Sequence, residues 1–193
     1  MKSSNTGQEI LAIARKIIAE EGLGAVSFDA IARHIGRSKQ AVLYWYPTKR
    51  DLLVAMFLPW LEAETRAAEE AVSDATNKNE AIGSFVRAIA AFHLADLDRF
   101  RMMYLALQTT QLKSDISGSF VAGEEIYSVT NRLYGMLADH LGEDQKAARK
   151  KAVVIHSAVL GLVLMCALSD ALRDPLKHSQ ADLIDALITT LTE

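Results

Sequence analysis

The stretch GRSKQAVLYWYPTKRDLL, residues 36–53, decides the fold of the N-terminal part of the chain. Gly36 ends one short amphipathic pattern, and Ser38 can cap the next because its hydroxyl accepts a hydrogen bond from a first-turn amide. Tyr46 and Pro47 close that second pattern, since proline disfavours α geometry in the residue before it. Two short helices joined by a glycine turn form a helix-turn-helix.

The flanking residues extend this pattern into a helical domain. Thr6 and Glu9 have the spacing of a capping box, so the sequence predicts a first helix from there to a stop at Gly22. Ser27 can cap the second helix, and Thr48 can cap a long fourth helix. Pro59 lies inside the fourth pattern and predicts a kink or break there.

Apolar residues repeat at helical spacing along the rest of the chain, which has 193 residues, 50% of them apolar and only three of them proline. We therefore predict an all-α fold of nine or so helices, with loops at 73–79 and 114–119. Apolar stripes place a fifth helix around 82–93, a sixth around 100–111, and a seventh that ends near Gly142. An eighth helix is predicted from about 143 to 170 and a ninth from a cap at Ser179.

Cysteine content and hydropathy indicate the cellular compartment in which we expect the protein. Cys166 is the only cysteine, which excludes an internal disulfide framework and fits a reducing compartment. The polar first residues do not form a signal peptide, so we expect a cytoplasmic protein. The most apolar segment, 152–168, is shorter than the roughly 20 residues of a membrane span. It is predicted to be a helix buried on all sides, and no membrane partner is expected.

Charge is distributed unevenly along the chain. Residues 1–50 contain eight Lys or Arg against four Asp or Glu, whereas residues 51–193 contain 13 against 20. The N-terminal part is therefore basic by four charges and the remainder acidic by seven. This asymmetry favours an acidic partner for the N-terminal part.

A helix-turn-helix that binds DNA needs polar and basic side chains at the start of its second helix, which enters the major groove. Arg37, Ser38, Lys39 and Gln40 occupy that position, and glutamine can read adenine while lysine can read guanine. Tyr44, Thr48 and Lys49 are candidates for phosphate contacts. The alternative is a purely structural three-helix unit in which the aromatic residues 44–46 form the hydrophobic centre.

From Ile10 to about Phe57 the sequence resembles the N-terminal domain of the TetR family of transcriptional regulators. The resemblance rests on AEEGLGAVSFDAIARHIGRSKQAVLYWYPTKRDLL, residues 19–53, with its hydroxylated residue before the second helix, its IA..IG turn and its aromatic-P-[ST]-K close. Two positions differ from many members, which have tyrosine at Leu43 and histidine at Trp45. Trp45 therefore either contacts the sugar-phosphate backbone or packs in the core.

The resemblance implies a homodimer that binds a pseudo-palindromic double-stranded DNA operator and releases it when a small-molecule effector binds. It places phosphate contacts at Ser27, Tyr44, Thr48 and Lys49, and base contacts at Arg37 to Gln40. It also implies a division into a DNA-binding domain, 1–50, and a helical ligand-binding and dimerisation domain, 51–193.

The C-terminal part contains no HExxH, no GxSxG and no glycine-rich phosphate loop, and the five histidines lack ligand spacing. We therefore expect no enzyme, no metal and no cofactor. Polar side chains on apolar stripes, together with large apolar neighbours, are candidates for an effector pocket. Taken singly, each is better explained as a satisfied core residue, but several together in one domain favour a pocket about as well. The candidates are Phe57, Trp60, Phe85, His93, Met103, Tyr104, Gln108, Tyr127, Asn131, Tyr134 and His156.

The predicted eighth helix is apolar all round, which requires more burial than one thin bundle provides. Ser157, Ala158 and Gly161 are small enough for close helix approach. We expect the helices near 145–172 and 180–192 to pair with their symmetry mates in an isologous dimer. A purely intramolecular core is the alternative.

Together these patterns predict a cytoplasmic, ligand-responsive regulator, a repressor rather than an activator, with a small apolar or amphipathic effector. Two other classes remain open at this stage. One is an all-helical small-molecule binding protein that never meets DNA, and the other is an all-α enzyme without a known motif.

Overall fold

The structure, a computed structural model, describes residues 4–105, 124–142, 144–172 and 177–193. Throughout these ranges the chain forms helices and turns without any strand, so the predicted all-α class is confirmed. The backbone divides into two compact units. The first contains Met1–Trp60 and the described part of Phe100–Ile126, and the second contains Leu61–Arg99 and Tyr127–Glu193.

The helices of the N-terminal region begin close to the predicted positions, with one exception. Helix α1 starts at Ser4, so the predicted capping box at Thr6 and Glu9 is wrong: a capping residue has non-helical backbone angles, and Thr6 lies within the helix. Gly22 ends α1 with a φ of 84°, a left-handed value that favours glycine. The elements are α1 (Ser4–Glu21), a 3-10 turn (Leu23–Ala25), α2 (Phe28–His34), α3 (Lys39–Trp45) and α4 (Lys49–Val72).

Hydroxyl caps define the starts of α2, α3 and α4. Ser27 Oγ accepts a hydrogen bond from the amide of Ala30 at 3.1 Å, and Ser38 Oγ accepts one from Ala41 at 3.3 Å. Thr48 Oγ1 accepts from the amide of Asp51 at 3.1 Å. Because each cap satisfies an amide that the helix itself leaves open, all three predicted helix starts are confirmed.

Apolar packing and two polar contacts hold α3 and α4 to α1. Val42 of α3 is fully buried, and the Tyr46 hydroxyl donates to the carbonyl of Gly7 at 3.3 Å. The Arg15 guanidinium of α1 donates to the carbonyl of Met56 at 3.3 Å and lies 4.8 Å from the ring centroid of Trp60. Helix α4 continues through Pro59, so no break occurs at that residue.

The later helices agree with the predicted stripes except the sixth. Helix α6 is only four residues long and Arg101–Leu105 has π-helical geometry, so the described start of the predicted sixth helix does not have the predicted 3.6-residue period. Residues 106–123, including Gln108 and the predicted loop at 114–119, lie outside the described residues, as do residues 173–176. The elements are α5 (Lys78–Leu94), α6 (Leu97–Phe100), α7 (Glu124–His140), α8 (Gln145–Leu172) and α9 (Gln180–Thr192).

Helix α8 has one buried face and one exposed apolar face. Ile155, Val159 and Val163 are buried, whereas Val154 is 62% exposed and Met165 is 53% exposed. The prediction that this helix is buried on all sides is therefore wrong for a single chain. By length and composition alone, Gln145–Ser169 could cross a membrane, with a mean hydropathy of 2.3; 39% of its most apolar window is buried in the protein.

Candidate nucleic-acid interface and buried polar cluster

The start of α3 presents an exposed polar surface. Every residue from Gly36 to Gln40 is exposed, because α3 packs on its neighbours through Val42 on its opposite side. Tyr44, one turn further along, is 82% exposed. The structure thus brings the predicted base-reading residues and Tyr44 together on the water-facing side of the same short helix.

A groove of about 350 Å³ lies beside this surface. Three of the predicted DNA contacts, Ser27, Lys39 and Lys49, line it. Thr48 does not, and its hydroxyl donates to Asp51 Oδ2 at 2.7 Å. The full lining is Gly24, Val26, Ser27, Phe28, Asp29, Lys39, Lys49 and Leu52.

Trp45 packs against α1. Its ring lies over Gly7, where an added Cβ would stand 2.9 Å from Trp45 Cε3, so only glycine fits at residue 7 without displacing the ring. The Tyr44 and Trp45 rings meet edge to face with centroids 6.1 Å apart. One face of the indole is therefore covered by the protein.

The second unit contains a buried polar cluster formed by four helices. Glu64 of α4 accepts hydrogen bonds at the same oxygen, Oε1, from His93 Nε2 at 3.1 Å and from His156 Nε2 at 2.9 Å. The Tyr134 hydroxyl lies 3.1 Å from His156 Nδ1. Glu64 and His93 are fully buried, and His156 is 4% exposed. We call Glu64, His93, Tyr134 and His156 the buried cluster.

The negative charge on Glu64 determines which imidazole nitrogen atoms of this cluster carry a proton. Burial alone would raise the pKa of Glu64, but the hydrogen bonds from His156 and His93 outweigh it and lower the pKa to about 2. An ionised carboxylate only accepts, so both Nε2 atoms carry a proton. Where His156 Nδ1 carries no proton, it accepts a hydrogen bond from the Tyr134 hydroxyl. Burial and the nearby Glu64 charge raise the pKa of Tyr134 itself.

The geometry of the buried cluster is that of a hydrogen-bonded network. Both imidazoles point at one carboxylate oxygen. Across the residues that the structure describes, no three or more His, Cys, Asp or Glu side chains are arranged to hold a metal ion. The cluster links α4, α5, α7 and α8 within one unit.

Comparison with known proteins shows which family the N-terminal residues resemble. The family described as "Bacterial regulatory proteins, tetR family" matches residues 10–56. Residues 10–56 are therefore similar to the N-terminal region of the TetR family. The match includes most of α1, all of α2 and α3 and the start of α4, and every DNA contact that the sequence predicts lies among the matched residues. No curated protein matches the sequence.

Solved structures share the fold over nearly the whole chain. FadR from Bacillus subtilis, in complex with stearoyl-CoA, has a TM-score of 0.69 at 16% identity, covering 96% of this chain and 97% of its own. FadR from Bacillus halodurans has a TM-score of 0.68 at 17% identity, covering 100% of this chain and 97% of its own. PfmR from Thermus thermophilus, a TetR family regulator, has a TM-score of 0.65 at 18% identity, covering 95% of this chain and 94% of its own. The chain thus has the fold of TetR transcriptional regulators, with a larger helical C-terminal part.

The predicted effector residues do not form a single group. Phe85, His93, Tyr134 and His156 lie together in the second unit, where the Phe85 and His156 rings meet edge to face with centroids 6.0 Å apart. Tyr127 is 62% exposed and so does not face an interior, whereas Asn131 is half-buried.

The remaining candidates belong to the first unit or lie outside the described residues. Phe57 contacts Trp60 there, with ring centroids 5.9 Å apart. Met103 is buried, and Tyr104 contacts Phe100 with centroids 5.4 Å apart. A cleft of about 290 Å³ in the second unit, lined by Gly135, Ala138, Asp139, Gln145, Lys146 and Arg149, contains none of the predicted residues.

Sequence reasoning missed Glu64, the acceptor at the centre of the buried cluster. The signal was present, because Glu64 follows Leu53, Phe57 and Trp60 at spacings of three and four residues on the apolar stripe of α4. A carboxylate on such a stripe is either exposed at its edge or buried with partners. The sequence alone does not reveal which helices supply those partners.

Proposed function

We propose that this protein is a ligand-responsive transcriptional repressor of the cytoplasm, which binds a pseudo-palindromic operator as a homodimer and releases it when a small molecule binds. The observation that carries the proposal is the exposed polar start of α3 inside the region that matches the TetR family. Residues 1–50 would form the DNA-binding domain, and residues 51–193 the effector and dimerisation domain.

The DNA contacts proposed for each half-site follow from exposure and chemistry. Lys39 and Gln40, with Arg37 and Ser38, would read base edges in the major groove. Ser27, Tyr44, Thr48 and Lys49 would contact phosphates and fix the register. Trp45 would add contact with the sugar-phosphate backbone only through the part of its ring that Gly7 leaves uncovered.

The apolar outer face of α8 supports dimerisation. Val154, Met165 and Leu168 are exposed in the single chain, although large apolar side chains are stabilised by burial. Ser157 and Gly161 lie between them and allow a second helix to approach closely. Helix α9 has no buried residue of its own and would complete a four-helix interface with its symmetry mate.

The effector is proposed to be small and apolar or amphipathic. The similarity in fold to FadR from Bacillus subtilis, whose complex contains stearoyl-CoA, supports this class. The buried cluster would provide the polar end of the site, with Phe85 beside it and Asn131 on the same helix as Tyr134. Phe57, Trp60, Met103, Tyr104, Gln108 and Tyr127 remain candidate wall residues.

The proposed release mechanism is a population shift. Effector binding would favour an arrangement of the two subunits in which the α3 helices no longer match successive major grooves, which lie about 34–36 Å apart. Helix α4 would carry the signal, because this one helix contains both Lys49 and Glu64.

Selection of bound fragments from the source genome, followed by an effector screen, tests the proposal. We expect enrichment of fragments with an inverted repeat, and a compound that raises Tm and also releases those fragments. Absence of binding to every fragment at low salt would contradict the DNA role and favour the all-helical binding protein. Compounds that raise Tm without releasing DNA would contradict the coupling.

A further inference from the structure

An ion pair joins the two helices of the helix-turn-helix at the residue expected to read a base. Lys39 Nζ donates to Asp29 Oδ2 at 2.8 Å, and the two side chains are 50% and 64% exposed. Lys39 is the first residue of α3, and Asp29 is the second residue of α2. The ammonium group of Lys39 thus lies beside a carboxylate of the neighbouring helix.

Asp29 is a fixed anchor for this ammonium group. It lies in the first turn of α2, which Ser27 holds by its hydrogen bond to Ala30. Lysine has a long flexible side chain, so an ammonium group without a nearby anion samples many positions. The charge-assisted hydrogen bond to Asp29 restricts those positions to the vicinity of the groove wall.

The same carboxylate opposes phosphate binding in the groove. Asp29, Lys39, Ser27 and Lys49 all line it. A phosphate that enters the groove is repelled by Asp29, unless Lys39 remains beside the carboxylate and neutralises it. Asp29 thus disfavours a contact between Lys39 and a phosphate. Such a contact would carry no sequence information.

We propose that Asp29 determines sequence specificity by positioning Lys39 for a base edge and keeping it from the phosphate backbone. The inference depends on the proposed DNA-binding function. An ammonium group has three N–H donors, so Lys39 can retain Asp29 and also donate to the O6 or N7 atom of a guanine. A base that offers no acceptor within reach of Lys39 leaves the ion pair unchanged and adds nothing to the affinity.

The test compares Asp29→Asn with the wild-type protein. The matched control is Asp74→Asn, which makes the same charge change at an exposed residue of the second unit. Each protein is measured for its base preferences by selection from random duplexes. The salt dependence of its affinity for one non-specific duplex is measured separately.

We expect Asp29→Asn to lose roughly five- to tenfold of the preference at one base pair in each half-site, the lower part of the range for a good base contact. Its affinity for the non-specific duplex should rise, and the slope of log affinity against log salt should steepen by about one, since Lys39 gains a phosphate. Asp74→Asn should match the wild type in both measurements.

Two further variants separate positioning from simple charge. Lys39→Met should lose the same preference and also bind the non-specific duplex more weakly, because Asp29 is then unneutralised. The double variant Asp29→Asn with Lys39→Met should regain the non-specific affinity but not the preference. Asp29→Ser replaces Asp29→Asn if the amide disturbs the first turn of α2.

Wild-type preferences at every base position in Asp29→Asn would overturn the inference, whatever happens to the overall affinity. That result differs from failure of the proposed function, in which the wild-type protein itself binds no duplex at low salt.

Discussion

Gln40 and Tyr44 of α3 are exposed, whereas Glu64, His93 and His156 are at most 4% exposed. The exposed residues bond to water until a partner replaces it, so changing one should alter binding and leave stability almost unchanged. The buried residues are shielded from water, so changing one removes a hydrogen-bond partner that water does not replace. Polar side chains are therefore expected to affect binding without stability in the exposed region, and stability in the buried one.

The largest expected effect comes from removing the acceptor at the centre of the buried cluster. Glu64→Leu leaves two imidazole N–H groups facing an apolar side chain, and breaking a buried pair in this way costs about 3–5 kcal/mol. Urea unfolding should show this loss of unfolding free energy. Glu70→Gln, an exposed change on the same helix, should stay within about 0.5 kcal/mol. Equal unfolding free energies for the two variants would contradict the claim that the buried polar residues stabilise the fold more than the exposed ones do.

Acid should weaken the same cluster. The pKa of Glu64 is lowered from 4.5 to about 2, so its charge stabilises the folded state above pH 4.5 and less and less as pH falls towards 2. The full contribution is about 3 kcal/mol. The difference in unfolding free energy between wild type and Glu64→Gln should shrink over this range. A difference that stays constant would mean that folding does not lower the pKa of Glu64.

Removing a helix cap in the N-terminal unit should have a moderate effect. Ser38→Ala removes the side-chain acceptor of the Ala41 amide, which keeps only the Ser38 carbonyl at 3.0 Å, and should cost about 1 kcal/mol, measured by urea unfolding. Ser38→Thr is the control, because it keeps the hydroxyl and should retain most of the unfolding free energy. An Ala variant as stable as the wild type would show that the cap does not hold α3.

An exposed ion-pair network in the second unit should contribute least to stability. Arg132 of α7 lies 2.7 Å from Glu69 Oε2 and 3.0 Å from Glu62 Oε2, both on α4. The Arg132 side chain is 44% exposed, so water screens these pairs and Arg132→Gln should cost about 1 kcal/mol or less. Its effect should also fall with added salt. If Arg132→Gln lowered the unfolding free energy as much as Glu64→Leu does, the claim that buried charges stabilise this fold more than exposed ones would be contradicted.

Local signals predicted the N-terminal region well. The caps at Ser27, Ser38 and Thr48 each act on a residue three positions away, and Gly22 needs only its own backbone angle. Such short-range chemistry is visible in the sequence itself. The exposed start of α3 followed from the same helix boundaries.

The buried cluster could be predicted only in part. Glu64 is 29 residues from His93 and 92 residues from His156, and nothing local links them. His93, Tyr134 and His156 were found as polar residues on apolar stripes, but their common acceptor depends on how four helices pack. The apolar pattern of α8 predicted that it needs more burial than one bundle provides, but the pattern alone does not show which of its faces a single chain leaves exposed.

The most direct test of the central claim is a salt titration of the wild-type protein and Lys49→Ala on a labelled operator duplex. The account predicts a linear fall of log affinity with log salt for both proteins. Lys49→Ala should bind every sequence more weakly, with a slope shallower by about one and an unchanged Tm. A wild-type affinity that does not respond to salt, or a Lys49→Ala protein that binds as tightly as the wild type, would contradict the assignment of this surface to DNA.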